Sequence, residues 1–455
     1  MYVVFTGKAV QTVTPPPSSV GLAQFNATGS PGTNTFLRGD NSWATPSDSV
    51  SYLVKISADD TTPDFLNGKL VAGTGISLTE GSGGGDETLT VANTATTRPN
   101  ENPLIINGDF AVAQRTSSGT SLASVSSGSN FVSDRFSFGP ATAGTWTISQ
   151  EAITSGSPFD NGFRTAFKAD NTTANGSLSA GSSLQFAQKI EAQNLQLLKY
   201  GSSNAEKLTL AFWIKATKTG TNVIEIYAHD SGRSVSIAYT VSSSNTWEYK
   251  VVNLPADTGG TINNDSGTGL EFIWWLAAGT NFTSGSLQTS WGANSATARA
   301  VGQVNHADST SNNVHIAGVQ LEVGEYTSAT IPPFLNETFA DNLFRCKRYY
   351  QEMNRPSYGV NTMLTGITTN GNQMFMMRLP VSMRSAPTIS MTGTVVTVYS
   401  SDSSGNVSAL NPTLNASTFG TDGGRILYSK IGDIGHGAWV DIDNDNTSMN
   451  FAAEL

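Results

Sequence analysis

The chain has 455 residues, which is too long for one compact core and predicts two to four domains. Its formal net charge of −10 and its lack of clustered lysines and arginines exclude binding to nucleic acid through phosphate contacts. Charged residues make up only 13%, and Ser, Thr, Asn and 45 Gly take their place, so long exposed helices are disfavoured and an all-β fold is predicted.

Residues 1–50 are predicted to form an extended N-terminal arm. Residues 15–17 are three consecutive prolines, which fix φ and remove backbone donors, as is typical of a polyproline-like chain. Further along the arm, Phe36, Leu37 and Trp43 are isolated apolar residues in a segment too short to build a core. We therefore expect these three side chains to attach the arm to a partner, either neighbouring copies of the chain or another protein.

Residues 51–101 are predicted to form a small β stem. Residues 70–79 and residues 88–91 are predicted strands on either side of the glycine-rich loop 81–85. A unit this short with so little apolar content would be marginally stable alone. Pairing of three copies around one axis would stabilise it.

Residues 102–336 are predicted to form the largest domain, a two-sheet jelly roll. Roughly eight strand signals recur at a spacing typical of β-sandwiches. Apolar and polar residues alternate most clearly at 209–214 and at 225–228. Trp274 and Trp275 are adjacent and must point to opposite faces of a strand, so we expect one in the core and the other, Trp275, exposed or at an interface.

Residues 337–354 are predicted to form a short helical collar. Thr338, three residues before Asp341, is the predicted N-cap. The apolar residues are spaced as an a/d seam, which consists of Phe339, Leu343, Cys346, Tyr350 and Met353. Two heptads are too few to form a stable helix alone. Two alternatives remain open, a threefold bundle of these helices and packing of the helix on the adjoining domain of the same chain.

Residues 355–455 are predicted to form a C-terminal β-sandwich, which would be the tip of an elongated molecule. The predicted strands are 374–381, 388–391, 394–399, 426–428 and 439–442. Sugar rings stack on exposed aromatic faces beside hydrogen-bonding groups. The candidates for such glycan contacts are Trp275 and Trp291 in the jelly roll and Tyr399 and Trp439 in the tip.

Several segments resemble bacteriophage tail fibre proteins and follow the order usual in that family. They are residues 35–44, residues 59–76, residues 104–110 with Gln114-Arg115 and then Ser133-Asp134-Arg135-Phe136, residues 316–324, Cys346-Lys347-Arg348-Tyr349-Tyr350, and Met383-Arg384-Ser385-Ala386-Pro387. The third and fourth of these segments resemble the opening and closing of a jelly roll of the carbohydrate-binding-module type.

The resemblance implies a virion protein that is assembled in the host cytoplasm as a homotrimer. It implies that the N-terminal arm attaches to the phage tail or to an adaptor protein. It also implies that the distal part adheres to the host cell surface, through surface glycan or another receptor. No apolar stretch approaches the ~20 residues that span a bilayer and no signal peptide is evident, so we expect no membrane insertion.

We expect no enzyme, no cofactor and no metal. The four histidines and the scattered acids form no catalytic motif, and no repeat typical of a glycan-degrading solenoid is present. Residues 441–445 mimic the start of a calcium loop, but Asn446 and Ala452 stand where Gly and Glu are required. The single cysteine, Cys346, excludes an intrachain disulfide.

Three functions remain open. We favour a receptor-binding fibre. The alternatives are a purely structural tail component, in which the jelly roll is a spacer, and a glycan-degrading tailspike.

Overall fold

The computed structural model describes the chain in two units, residues 1–95 and residues 96–455. The described residues are 26–45, 53–54, 56–57, 59–62, 64–73, 75–81, 87–93, 99–100, 102–115, 121–354, 362–370, 372–392, 396–400, 407–409, 419–429, 435–442 and 448–455. Strands dominate these residues, so the all-β prediction is confirmed. The homotrimer and the domain arrangement stay predictions. Among the described residues, no helix is long and apolar enough to cross a membrane.

The first unit contains two small antiparallel sheets. Its elements are β1 (Phe36–Leu37), β2 (Trp43–Ala44), α1 (Leu66–Lys69), β3 (Ile76–Gly81) and β4 (Thr88–Asn93), with β1 paired to β2 and β3 paired to β4. In the first turn, the Asp40 carboxylate accepts hydrogen bonds from the Ser42 backbone N–H at 3.1 Å and from the Ser42 hydroxyl at 2.6 Å. Such local bonds explain why Asp and Ser favour turns.

The second unit begins with a β-sandwich. Its elements are β5 (Ser121–Val125), β6 (Phe136–Ala141), β7 (Thr145–Ala152), α2 (Ser157–Asp160), β8 (Thr165–Thr173), β9 (Ser183–Glu191), β10 (Leu208–Ala216), β11 (Gly220–Ala228), β12 (Arg233–Val241), β13 (Glu248–Leu254), β14 (Thr268–Ala278), α3 (Thr280–Thr283), β15 (Gly292–Ala293) and β16 (Asn313–Val323), with short 3-10 turns at Ala192–Leu198, Ala296–Ala298 and His306–Asp308. Sheet A has the strand order β13-β10-β16-β8-β7-β5, and sheet B has the order β15-β12-β11-β14-β9-β6.

The core of the sandwich lies between the two sheets and is rich in aromatic rings. Phe186 of β9 stacks on Phe136 of β6, with ring centroids 5.0 Å apart, and on Phe167 of β8 at 4.4 Å. Trp274 of β14 is also fully buried and lies 5.6 Å from Phe212 of β10, edge to face. Burying each such ring contributes about 1.5 to 3 kcal/mol. Alternation along each strand sends one set of side chains into this core and the other set outward.

Gly318 forms a bulge in the closing strand β16. Its φ of +57° lies in the left-handed region, and a Cβ there would lie 2.6 Å from the Phe163 ring. The register between β10 and β16 shifts at the same place, between Ala211 and Trp213. Only glycine therefore lets the Phe163 ring pack directly against this strand.

Helix α4 (Phe339–Lys347) follows the sandwich and is shorter than predicted. The Thr338 hydroxyl accepts a hydrogen bond from the Asp341 N–H at 3.2 Å, as the predicted N-cap requires. Tyr350 and Met353, however, lie in strand β17 (Tyr350–Asn354), so the predicted helix over 337–354 is wrong in its last turns. The five seam residues do not share one helix.

The remaining strands form two sheets that enclose a second core. They are β18 (Thr362–Thr368), β19 (Asn372–Arg378), β20 (Thr388–Thr392), β21 (Val396–Ser400), β22 (Val407–Ala409), β23 (Phe419–Gly420), β24 (Gly423–Ser429), β25 (Gly437–Ile442) and β26 (Ser448–Ala452). One sheet has the order β17-β26-β20, and the other has the order β22-β21-β25-β18-β19-β24-β23. Phe451 of the first sheet stacks on Phe419 of the second, with ring centroids 5.4 Å apart.

Candidate functional site

The outer face of sheet B carries a groove where β6, β9 and β14 lie side by side. Strand register places Gly139 opposite Gln185 between β6 and β9. It places Lys189 opposite Glu271 between β9 and β14. Ala187 lies between Gln185 and Lys189 on the same face of β9. Its small side chain forms the bottom of the groove, and the longer side chains on either side form its edges. The groove has a volume of about 190 Å³.

Three side chains bring hydrogen-bonding groups to this groove. The Gln185 amide makes no side-chain hydrogen bond among the described residues, so both its donor and its acceptor are available. The Lys189 ammonium donates to the backbone carbonyl of Leu455 at 3.0 Å and keeps two further N–H groups. One Glu271 carboxylate oxygen lies 2.8 Å from His229 Nε2. Together these groups can donate to and accept from the hydroxyls of a ligand.

Phe131 and a buried charge cluster complete the wall of the groove. Glu454 forms ion pairs with Arg115 at 2.5 Å and with Arg135. Burial alone would raise the pKa of Glu454, but the guanidiniums of Arg135 and Arg115 outweigh it and hold that pKa below its usual value. The Arg115 guanidinium lies 4.2 Å from the centroid of the Phe131 ring. The wall is therefore held by charged groups that neutralise one another.

The rest of this face is covered, and the covering buries Trp275. Its indole N–H donates to Glu225 at 3.0 Å, and the Phe282 ring packs 5.1 Å from it. The Arg299 guanidinium donates to both oxygens of Glu225, at 2.8 and 2.9 Å. Trp275 has no exposed surface, so the prediction that it is exposed for glycan contact is wrong. The chain covers the outer face of β14 with its own segment 279–304.

The other predicted glycan contacts are not brought together. The Trp291 indole N–H donates to the Pro255 carbonyl at 2.7 Å, and its ring packs edge-on against Tyr200 at 5.8 Å. Trp291 is thus a half-buried part of the core edge rather than an open loop residue. Trp439 is half-buried in β25, opposite Tyr399 in β21. The side chain of Tyr399 lies outside the described residues.

The tail-attachment candidates lie on the first hairpin. Phe36 and Leu37 are exposed, with 46% and 36% of their surface open, and Trp43 is half-buried opposite Leu37. Their exposure on a two-stranded sheet is compatible with attachment to a partner, which stays a prediction.

The seam candidates pack within one chain, except for Phe339, which is 59% exposed. Cys346 is fully buried in a cluster that includes Leu343 and Val112. Burial raises the pKa of the Cys346 thiol, which makes this group unreactive. Met353 packs against the core of the last two sheets. Of the two alternatives for the helix, these contacts favour packing on the adjoining domains.

The expectation of no metal stays a prediction. Among the described residues, no group of three or more His, Cys, Asp or Glu side chains is placed to hold a metal ion. Residues 443–447 of the calcium-like turn lie outside the described part of the chain.

No family model matches this chain, and no curated protein matches it. Matches among solved structures include the enzymatically active domain of tailspike protein 4 from bacteriophage CBA120, with 14% identity and a TM-score of 0.26, covering 49% of this chain and 21% of that one. A family 16 carbohydrate-binding module matches at 15% identity and a TM-score of 0.19, covering 38% of this chain and 84% of that one. The family 11 carbohydrate-binding module from Clostridium thermocellum matches at 9% identity and a TM-score of 0.22, covering 46% of this chain and 97% of that one.

This chain therefore spans about a fifth of the length of the tailspike chain.

The groove residues were not among the sequence-based candidates. Gln185, Lys189 and Glu271 are polar residues at outward positions of otherwise apolar strands. That alternation was a usable signal in each strand separately. The convergence of the three residues depends on the pairing of β9 with β14, which joins positions some eighty residues apart.

Proposed function

We propose that this chain is a glycan-binding subunit of a bacteriophage tail fibre, a homotrimer attached to the tail by its N-terminal arm. The observation that carries glycan binding is the groove on sheet B, where Gln185, Lys189 and Glu271 converge beside the Phe131 ring. A sugar presents C–H faces and hydroxyl groups, which need an apolar surface and convergent donors and acceptors. The sequence resemblance to tail fibre proteins supports the virion location and the attachment to the tail.

We propose binding without catalysis at this groove. Glycoside hydrolysis needs two carboxyl groups, one of which must be protonated to act as general acid. Among the described residues, the side-chain carboxylates that line the groove are those of Glu271 and Glu454. Glu454 is engaged by two guanidiniums and its pKa is lowered, so it is unsuited to donate a proton. Release of reducing ends from polysaccharide by the purified chain would contradict this and support the tailspike alternative.

Glu271→Ala and Gln185→Ala are each expected to weaken glycan binding about tenfold, because each removes one or two hydrogen bonds to the ligand. The measurement is calorimetric titration with a panel of purified bacterial surface polysaccharides. Glu325→Ala is the matched control, since Glu325 is exposed and, among the described residues, forms its ion pair with Lys207 alone. Unchanged affinity in both groove variants would contradict the site. Failure of the wild-type chain to bind any polysaccharide in the panel would favour the spacer alternative.

The homotrimer is expected to give a mass three times that of one 47.9 kDa chain in light scattering, at every concentration tested. The physical reason is the first unit, whose two-stranded sheets expose apolar residues such as Phe36 and Val91. A monomer at all concentrations would contradict this part of the proposal while leaving the groove variants interpretable.

A further inference from the structure

The outer face of sheet A carries three aromatic side chains in a row, on the side of the sandwich opposite the groove. Strand register places Trp213 of β10 opposite Tyr249 of β13, and their ring centroids lie 4.9 Å apart. Trp247, two residues before Tyr249, lies beside the imidazole of His315, with ring centroids 5.9 Å apart. We call Trp213, Tyr249 and Trp247 the aromatic row. All three are half-buried, so part of each ring is open to solvent.

The aromatic row is held rigidly from one side. Trp213 and Trp247 pack against a cluster that includes Phe163 and Ala317. The bulge at Gly318 is what lets the Phe163 ring reach this position. Fixed ring faces lose little conformational entropy on binding, which favours stacking of a ligand.

The indole N–H groups of the row are unused in the described part of the chain, whereas the Tyr249 hydroxyl accepts a hydrogen bond from the Gln320 side-chain amide at 3.4 Å. Among the described residues, neither indole N–H of Trp213 and Trp247 has an acceptor. Nδ1 of His315 is buried and without a partner, in a residue only 4% exposed. A buried nitrogen without a partner is costly unless water or a ligand group reaches it. The row is thus a surface with aromatic faces and unused hydrogen-bonding groups, which differs from a purely apolar patch.

Charged groups of both signs line the row, and they differ in whether they are paired. Lys168 binds two carboxylates of the face, Glu151 at 3.5 Å and Asp170 at 3.0 Å, and His315 lies 2.7 Å from Glu151. Glu248, next to Tyr249 in the chain, pairs with Lys250 at 2.6 Å, and burial followed by the Glu322 carboxylate raises the pKa of Tyr249. Lys215 projects over the Trp247 ring, with Nζ 5.2 Å from its centroid, and no described carboxylate pairs with it.

Pairing rather than net charge therefore decides what this face attracts. Glu151, Asp170 and Glu248 are engaged by Lys168, His315 and Lys250, and Glu322 is buried. Lys215 is the charge next to the rings. Burial, followed by the Lys215 ammonium, lowers the pKa of His315 to about 4, so above pH 5 the imidazole is neutral and Lys215 is the cation beside the row.

We propose that the aromatic row is a second glycan-binding site, selective for sugars that carry a carboxylate. The sugar ring stacks on Trp213 and Tyr249, and its carboxylate pairs with the Lys215 ammonium. Because the sandwich core separates the two outer faces, this site and the groove bind independently. One chain would then hold two segments of a polysaccharide, which raises avidity without any new contact.

The test is calorimetric titration of the full chain at pH 7 with two oligosaccharide series. One series contains glucuronic acid, and the other is the same series with each carboxyl reduced to the alcohol. The wild-type chain is expected to bind the acidic series about tenfold more tightly. Lys215→Gln is expected to abolish that preference and leave binding of the reduced series unchanged. Trp213→Ala is expected to weaken binding of both series at the aromatic row at least tenfold and to leave binding at the groove unchanged.

Two further variants keep the outcome interpretable. Lys207→Gln is the matched control for charge, since Lys207 is an exposed lysine paired with Glu325. Glu271→Ala is expected to weaken binding of both series at the groove and to leave the tenfold preference at the aromatic row intact. The proposal is overturned if Lys215→Gln keeps the preference, if Glu271→Ala removes it, or if the wild-type chain binds neither series. Lys215→Gln removes no buried contact, so its result does not depend on whether Trp213→Ala folds.

Discussion

Replacing Glu225 by alanine is expected to lower the free energy of unfolding by about 3 to 5 kcal/mol, the cost typical of breaking a buried ion pair. Glu225 has no exposed surface, and both its oxygens accept hydrogen bonds from Arg299. It also accepts from the Trp275 indole at 3.0 Å and from Asn294 at 3.1 Å. Alanine would leave a guanidinium and an indole N–H without their acceptor under segment 279–304.

Chemical denaturation gives the free energy of unfolding, and hydrogen exchange shows where the loss falls. Amides of segment 279–304 are expected to exchange faster than those of the central strands, because Glu225 ties this segment to sheet B. Glu225→Gln keeps a hydrogen-bond acceptor but removes the charge. Its free energy of unfolding should therefore lie between those of the wild type and of Glu225→Ala. Glu206→Ala is the control, since its pair with Lys199 is exposed and contributes at most about 1 kcal/mol. Equal losses in Glu225→Ala and in this control would contradict the prediction.

The same cluster shows why strand prediction succeeded while the exposure of Trp275 did not. Alternation along β14 correctly indicated that Trp274 and Trp275 face opposite ways, which is a local property of a strand. What covers the outer face is segment 279–304, whose Arg299 lies 74 residues after its partner Glu225 in the sequence. No pattern within a single strand reports a contact at that separation.

The prediction of a helical collar over residues 337–354 was wrong in its last turns for a related reason. The spacing from Phe339 to Met353 satisfies a heptad pattern, and the cap at Thr338 is formed as predicted. The helix ends at Lys347, however, and strand β17 begins at Tyr350, so the last two apolar residues of the pattern lie in a strand. Pairing of β17 with β26, nearly a hundred residues later, then overrides local helix propensity.

In the sequence, the residues of the two proposed glycan sites have no feature that distinguishes them from other strand residues. Trp213 lies in the segment 209–214, whose alternation predicts a strand, but alternation alone does not indicate that an outward ring meets a second ring. Its pairing with Tyr249 follows from the register of β10 with β13. The same holds for Gln185 and Glu271 in the groove, where register alone brings the polar groups together.

Asp134 is the buried acid whose titration should change stability most clearly. Burial raises its pKa from 3.8 to about 6, against the opposing effects of the Arg115 guanidinium and of hydrogen bonds from Gln114. The Glu454 carboxylate faces the same cluster and raises the pKa further. The folded chain therefore holds the Asp134 proton more tightly than the unfolded chain between pH 3.8 and about 6. In that window, the free energy of unfolding falls as pH rises.

Asp134→Asn is expected to gain about 3 kcal/mol in stability relative to wild type between pH 4 and pH 7, since two pKa units correspond to that amount and Asn cannot ionise. The measurement is chemical denaturation of both chains at several pH values. Asp308→Asn is the control of opposite sign: burial would raise the pKa of Asp308, but hydrogen bonds from Lys218 and Asn312 lower it. Asp308 therefore stabilises the fold above its unfolded pKa, and this contribution is lost as pH falls. A stability difference between Asp134→Asn and wild type that does not change with pH would show that Asp134 is not the buried, proton-holding group that its contacts indicate.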